Sequence, residues 1–213
     1  MIRQFLACAA ILAAASCGPR SDTSSPPDPA VHTNEQFGVT YRLPEGWYLL
    51  DAAGFEDVRQ AGLEAATGLN EQQKQMALAS SRTRTPIFTV FERDPNGQGD
   101  QSDTFNPSVA VMAAPVPAFM TSLTGHSYLE AAASSIPLLG APMEVVGGID
   151  IGRIDGEIFD IMRIRIDLDG VPVSQTHYAA RHGEHIIEII QTYADDAQRQ
   201  ATQHILDDIK LNW

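Results

Sequence analysis

The sequence predicts one α/β domain of the α+β kind over residues 37–213: an α/β/α sandwich with a central, mainly antiparallel sheet covered by helices on both faces. Three observations predict it. Asp155-Gly156, Asp169-Gly170 and His182-Gly183 punctuate four β-rich runs between Ile149 and Thr192. Asp-Gly between apolar runs is a strong hairpin signal, because both central residues of a type I′ turn need positive φ. A two-residue turn at Asp169-Gly170 then sets Leu168 against Val171, Ile166 against Val173, Ile164 against Gln175 and Met162 against His177. On the opposite face Ile161 meets Tyr178 and Phe159 meets Ala180. Both faces carry apolar residues and both need a cover, which the helical stretches early, middle and late in the chain can supply.

The elements follow in order. Phe37, Val39 and Tyr41 alternate with smaller or polar residues, as a half-buried strand does, and Leu43-Pro44-Glu45-Gly46-Trp47 ends that strand in a turn with Trp47 as a large anchor. Residues 55–80 read as helix in two pieces broken near Gly68, the second opened by an Asn70/Gln73 capping box. This segment is a lid, an insertion or an ordinary layer. Thr85 to Arg93 and Pro107 to Ala114 read as strands, separated by a polar loop that opens at Asp94-Pro95-Asn96-Gly97. A capping box of Ser127 and Glu130 predicts a helix ending before Pro137, and Gly147-Gly148 reads as a loop ahead of the next strand. The last helix runs from about Asp196 to Ile209, with Ala197, Ala201, Ile205 and Ile209 on one face and Trp213 packed beside it.

The N-terminus carries an address. Met1-Ile2-Arg3 is a short positive start, Phe5 to Ala15 is a small apolar run, and Ala14-Ala15-Ser16 places small residues before Cys17. This is the pattern of a cleaved secretion signal over residues 1–16, too short to span a bilayer as a mature helix. Small residues directly before a Cys resemble the lipobox of bacterial lipoproteins, in which that Cys is diacylated and becomes the new N-terminus; Ala14 stands where Leu is usual. Cys8 lies in the removed segment, so Cys17 has no disulfide partner, and acylation accounts for it. Gly18, where an Asp would favour inner-membrane retention, points to the outer membrane. Residues 17–36, with Ser24-Ser25-Pro26-Pro27-Asp28-Pro29, read as the lipidated Cys and a disordered tether able to reach roughly 25–60 Å.

The strand leading into Leu43-Pro44-Glu45-Gly46-Trp47, and the late hairpin Tyr178 … Gly183 … Ile186 to Thr192 followed by a terminal helix, resemble the PsbP-like superfamily, which includes DcrB-like bacterial lipoproteins. The resemblance covers residues 37–213, with recognisable motifs at its two ends, and the segment 55–80 looks like an insertion. It implies an α/β/α sandwich used mostly as a non-catalytic binding or assembly module, with no shared catalytic set.

Charge excludes one class of partner. The net charge is −13, residues 1–16 contribute only Arg3 to it, and Lys74 and Lys210 are the sole lysines. Such a surface repels phosphates, so nucleic acid is a poor partner and membrane contact should come from the lipid.

Few residues offer chemistry. Gly125-His126-Ser127-Tyr128-Leu129 lacks the second glycine of a nucleophile elbow, and Ser127 is better explained as a helix cap. Asp94, Asn96, Asp100 and Asp103 offer oxygens without the spacing of a calcium loop. His177, His182 and His185 cluster in sequence but would have to converge to hold zinc, and no metal or cofactor is expected. One constellation follows from register. If His182-Gly183 is the turn, His177 lies beside Glu188, with Met162 on its other side and Asp160 diagonal on the same face. A His flanked by carboxylates can transfer protons; the same three residues also suit a cross-strand polar pair. A one-residue slip of the turn would separate them.

The expectation is therefore a lipid-anchored envelope protein facing the periplasm, with a non-catalytic domain that binds a protein partner or helps assemble a complex. An exposed apolar patch or groove would suit it. The alternative is a small-molecule or lipid carrier with an apolar cavity between sheet and helices. A hydrolase built on His177 is the remaining reading.

Overall fold

A computed structural model describes residues 31–50, 54–58, 60, 83–95, 105–138, 142–168 and 170–213, and among these residues the chain forms ten strands and two long helices. The strands are β1 (Val31–Asn34), β2 (Val39–Arg42), β3 (Tyr48–Leu50), β4 (Thr85–Phe91), β5 (Ser108–Pro115), β6 (Met143–Ile154), β7 (Glu157–Leu168), β8 (Val171–His182), β9 (His185–Tyr193) and β10 (Lys210–Leu211). The helices are α1 (Gly125–Ser135), followed by a 3₁₀ turn at Ile136–Leu138, and α2 (Asp196–Asp208). A seven-stranded sheet runs in the order β3-β4-β5-β9-β8-β7-β6, and a three-stranded sheet runs β1-β2-β10. Every strand pairing among the described residues is antiparallel. The fold is α+β with a mostly antiparallel sheet.

The β7–β8 register is the one read from Asp169-Gly170: Leu168 pairs with Val171, Ile164 with Gln175, Met162 with His177 and Ile161 with Tyr178. At the β6–β7 turn both Asp155 (φ 48°) and Gly156 (φ 87°) take the left-handed conformation that a type I′ turn demands. Alternation then divides the main sheet. One face buries Met162, Ile164, Val173 and Ile186 against Tyr128 and Leu129 of α1. The other buries Val111, Phe159, Ile187 and Ile189 against Ile205 and Leu206 of α2, together with Val39 and Tyr41 of the small sheet.

Several local expectations change. The folded part reaches back to Val31: β1 occupies a stretch assigned to the tether of residues 17–36, so the boundary at 36/37 moves. An edge strand needs backbone pairing more than apolar content, and β1 finds both pairing along β2 and a stack of His32 on Tyr41, 5.1 Å between ring centroids. Gly147-Gly148 is no loop but part of β6, at a bulge between Val146 and Asp150 where Gly147 has φ 76°. The cap of α1 is Thr124, whose hydroxyl accepts from the Ser127 amide at 3.2 Å while the Ser127 hydroxyl accepts from the Thr124 amide at 3.0 Å. Ser127 is thus the inner member of the capping box, and the true cap lies three residues before the expected one.

Trp213 packs against the core cluster that contains Ile205 and Leu206 of α2. It stacks on His182 with centroids 4.9 Å apart, and its indole N–H donates to the Phe37 carbonyl at 3.2 Å. Of residues 55–80, positions 55–58 and 60 are helical and Phe55 is buried against Ala110, Met112 and Ile190. The Gly68 break and the Asn70/Gln73 box lie outside the described residues, as do Cys17 and Asn96, Asp100 and Asp103.

Candidate functional site

Glu188 interrupts an apolar run, Ile186-Ile187-Glu188-Ile189-Ile190, in the middle of β9, and it is fully buried. A carboxylate there must find cations or donors nearby, or lose its charge. Three elements supply them. From β8, His177 Nδ1 donates to Oε1 at 2.9 Å; from α1, the Tyr128 hydroxyl donates to Oε2 at 2.7 Å. Just ahead of β4, Arg84 brings a guanidinium nitrogen to 3.6 Å from Oε2, and lies 5.8 Å above the Tyr128 ring. The other His177 nitrogen lies 3.2 Å from the Gln175 side chain, which reaches Thr192 at 3.3 Å.

Close packing at one glycine positions this cluster. A Cβ on Gly125 would stand 2.2 Å from the Ala179 carbonyl, so only glycine lets the first turn of α1 lie on β8 and lower Tyr128 onto Glu188. Ala179, directly opposite Glu188, leaves room for that approach. Burial opposes the charge on Glu188, yet Arg84, His177 and Tyr128 together outweigh it and hold the carboxyl down at about 2. Burial pushes the Tyr128 hydroxyl well above its ordinary value, and the adjacent Glu188 adds to the effect.

The pair His177–Glu188 therefore exists, but its register is new. The β8–β9 turn is Gly183-Glu184, with His182 opposite His185 and His177 opposite Ile190. Moving a turn by one residue moves each partner by two, which preserves the face. His177 and Glu188 meet diagonally, and the expected separation does not occur. Asp160 is not a member: its carboxylate faces His126 of α1 at 3.3 Å, and His126 is 3.5 Å from Glu130.

The chemistry open to the cluster is limited by access. His177 and Glu188 are 0% exposed, Gln175 is 0% and Tyr128 is 3%. Both carboxylate oxygens and both ring nitrogens are engaged, so a substrate would meet none of them. Arg84 and Tyr128 were missed by sequence reasoning, although a charged residue inside an apolar strand was the signal to look for them.

The three histidines do not converge. His177 and His182 are five residues apart on one strand and so point to opposite faces; His185 stands edge-on to Phe37 at 5.2 Å. Among the described residues no group of three or more His, Cys, Asp or Glu could hold a metal.

Open space occurs elsewhere. A cleft of about 620 Å³ runs between α1 and β6, lined by Ser127, Glu130, Ala131, Ala133, Ser134, Val145, Gly147, Gly148 and Ile149. It is open to solvent and lined by small, polar and a few aliphatic groups, and it is not an enclosed cavity of the kind a lipid carrier calls for. Large apolar side chains are exposed near one end of the sheet: Ile151 at 74% and Ile158 at 56% on the β6–β7 hairpin. No helix of the described residues is long and apolar enough to cross a membrane.

No protein-family model matches the chain, and no curated protein matches it. Among solved structures it is similar to cyanobacterial PsbP from Synechocystis sp. PCC 6803, at 12% identity and a TM-score of 0.48 over 92% of this chain and 98% of that one. It is similar to a protein of Bacteroides thetaiotaomicron VPI-5482 at 8% identity and a TM-score of 0.44, over 83% of this chain and 46% of that one. LpqN, involved in cell envelope biogenesis of Mycobacterium tuberculosis, is similar at 9% identity and a TM-score of 0.42, over 81% and 82%. These are likenesses of overall arrangement and carry no statement of what this chain binds.

Proposed function

We propose that this chain is a lipid-anchored protein of the bacterial cell envelope, held through Cys17 at the outer membrane and facing the periplasm, whose domain is a non-catalytic protein-binding or assembly module. The domain is read as a sandwich whose helices cover both sheet faces. The single observation that carries the binding role is the contrast in access. The polar constellation around Glu188 is sealed inside the domain, while the α1–β6 cleft and its neighbouring apolar side chains are open. A domain built this way offers a surface to a partner, while the His177–Glu188 pair lies out of a substrate's reach. The acidic surface supports a neutral or basic protein partner and opposes nucleic acid.

The test is crosslinking of the intact protein in native envelopes, with a soluble Cys17→Ala form alongside. One dominant protein captured by the anchored form alone is the expected result. Absence of any reproducible protein partner, with lipid extractable from the purified protein, would move the reading to a carrier.

A further inference from the structure

We propose that the outer edge of β6 and the cleft beside α1 take an extended cationic segment of a partner protein as an added β-strand. This rests on the binding-module reading and gives it a site and a partner class.

The argument begins with strand order. β6 is the last strand of the seven-stranded sheet and, among the described residues, pairs only with β7. It is twelve residues long, Met143–Ile154, and contains neither Lys nor Pro; its one cation, Arg153, turns back onto the Gly156 carbonyl, and its bulge is confined to Val146–Asp150. α1 lies along that edge on one face, and the space between them is the cleft of about 620 Å³. A sheet edge with a helix beside it forms a slot in which an added strand gains main-chain hydrogen bonds along the edge while alternate side chains enter the groove. The residues here suit that use. Val145 and Ile149 give apolar contact, Ala131, Ala133 and Ser134 leave the helix wall low, and Gly147-Gly148 leaves the backbone bare of side chains.

Charge selects the occupant. α1 carries Glu130, whose side chain is 62% exposed, and no Lys or Arg. On the other face of β6, Glu144 and Asp150 are more than half exposed; they contact Arg165 and Arg163 but remain within reach of a neighbouring strand. The whole chain is at −13. An added strand with small aliphatic side chains toward α1 and lysines on its alternate face meets both requirements.

The probe is a synthetic nonapeptide of alternating Val and Lys, titrated into the ¹⁵N-labelled full chain in mild detergent. Expected are chemical-shift changes confined to β6 and α1. Methylating one alternate set of peptide amides should weaken binding at least tenfold, and methylating the other set should not, since strand pairing uses every second amide. Replacing Lys by Glu should abolish binding. Ser134→Trp, on the exposed wall of α1, should weaken it at least tenfold with the melting temperature unchanged. No binding at millimolar peptide, equal sensitivity to both methylated sets, or shifts elsewhere would overturn the proposal. So would a concentration-dependent dimer through β6 that the peptide fails to displace, which would give the edge to a second copy. If the envelope partner is still captured by the Ser134→Trp chain, this site is wrong while the binding-module reading stands.

Discussion

The two faces of the β8–β9 pair differ at their centres, although the α2 face also buries Gln191, whose amide donates to Thr202 Oγ1 at 2.9 Å. Toward α2, Ala180, Ile187 and Ile189 pack among carbon atoms, and what matters there is volume. Toward α1, Gln175, His177 and Glu188 are equally buried, and each atom needs a named partner. The apolar face tolerates a change of shape at modest cost. The polar face draws partners from β4, α1 and β8 at once, so losing one strands the others. The difference teaches where specificity resides: the apolar face makes the domain stable, and the polar face fixes how α1 and the approach to β4 sit on the sheet.

That contrast can be broken experimentally. Glu188→Ala leaves Arg84 buried without its carboxylate and should cost about 3–5 kcal/mol in denaturant unfolding. The double change Arg84→Met with Glu188→Leu should cost less than this single one; an equal or larger loss would mean that the cluster is not a charge pair. The acid limb gives the next test. Glu188 sits at about 2 against an ordinary 4.5, so its stabilisation is complete above pH 4.5 and is lost as pH falls toward 2. Unfolding of Glu188→Gln should lack that part of the acid dependence. Tyr128→Phe removes one donor from a buried carboxylate and should cost about 1–3 kcal/mol. On the apolar face Ile189→Val should cost only about 0.5–1.5 kcal/mol, with unchanged acid dependence. A larger loss there than for Tyr128→Phe would reverse the comparison.

Legibility in the sequence followed the range of the forces involved. The β7–β8 register was readable because Asp169-Gly170 is a local signal with a fixed geometry. The β8–β9 turn was missed by one residue because Gly183 accepts positive φ as the first central residue as readily as the second, and sequence alone does not choose. β1, β3 and β10 were invisible for a different reason. They are two to four residues long, and they exist because a neighbouring strand is already in place. The site was half legible. His177 and Glu188 lie on adjacent strands of one hairpin, whereas Tyr128 is 60 residues from Glu188 and reaches it only through the packing of α1 at Gly125. Asp160 shares the face but was claimed by His126, a partner that strand register does not reveal.

The closing seam of the small sheet has a consequence for the order of events during synthesis. β10 pairs with β2, the Asn212 amide donates to the Gly38 carbonyl at 2.8 Å, and Asp155 at the β6–β7 turn accepts from the Leu211 amide at 2.8 Å. The Trp213 indole closes on Phe37 across 176 residues of chain. Until β10 has been made, β2 lacks one of its two partner strands, and loop closure over that distance comes before its reward. The small sheet is therefore completed late, when β10 reaches back to β2 and to the Gly38 carbonyl.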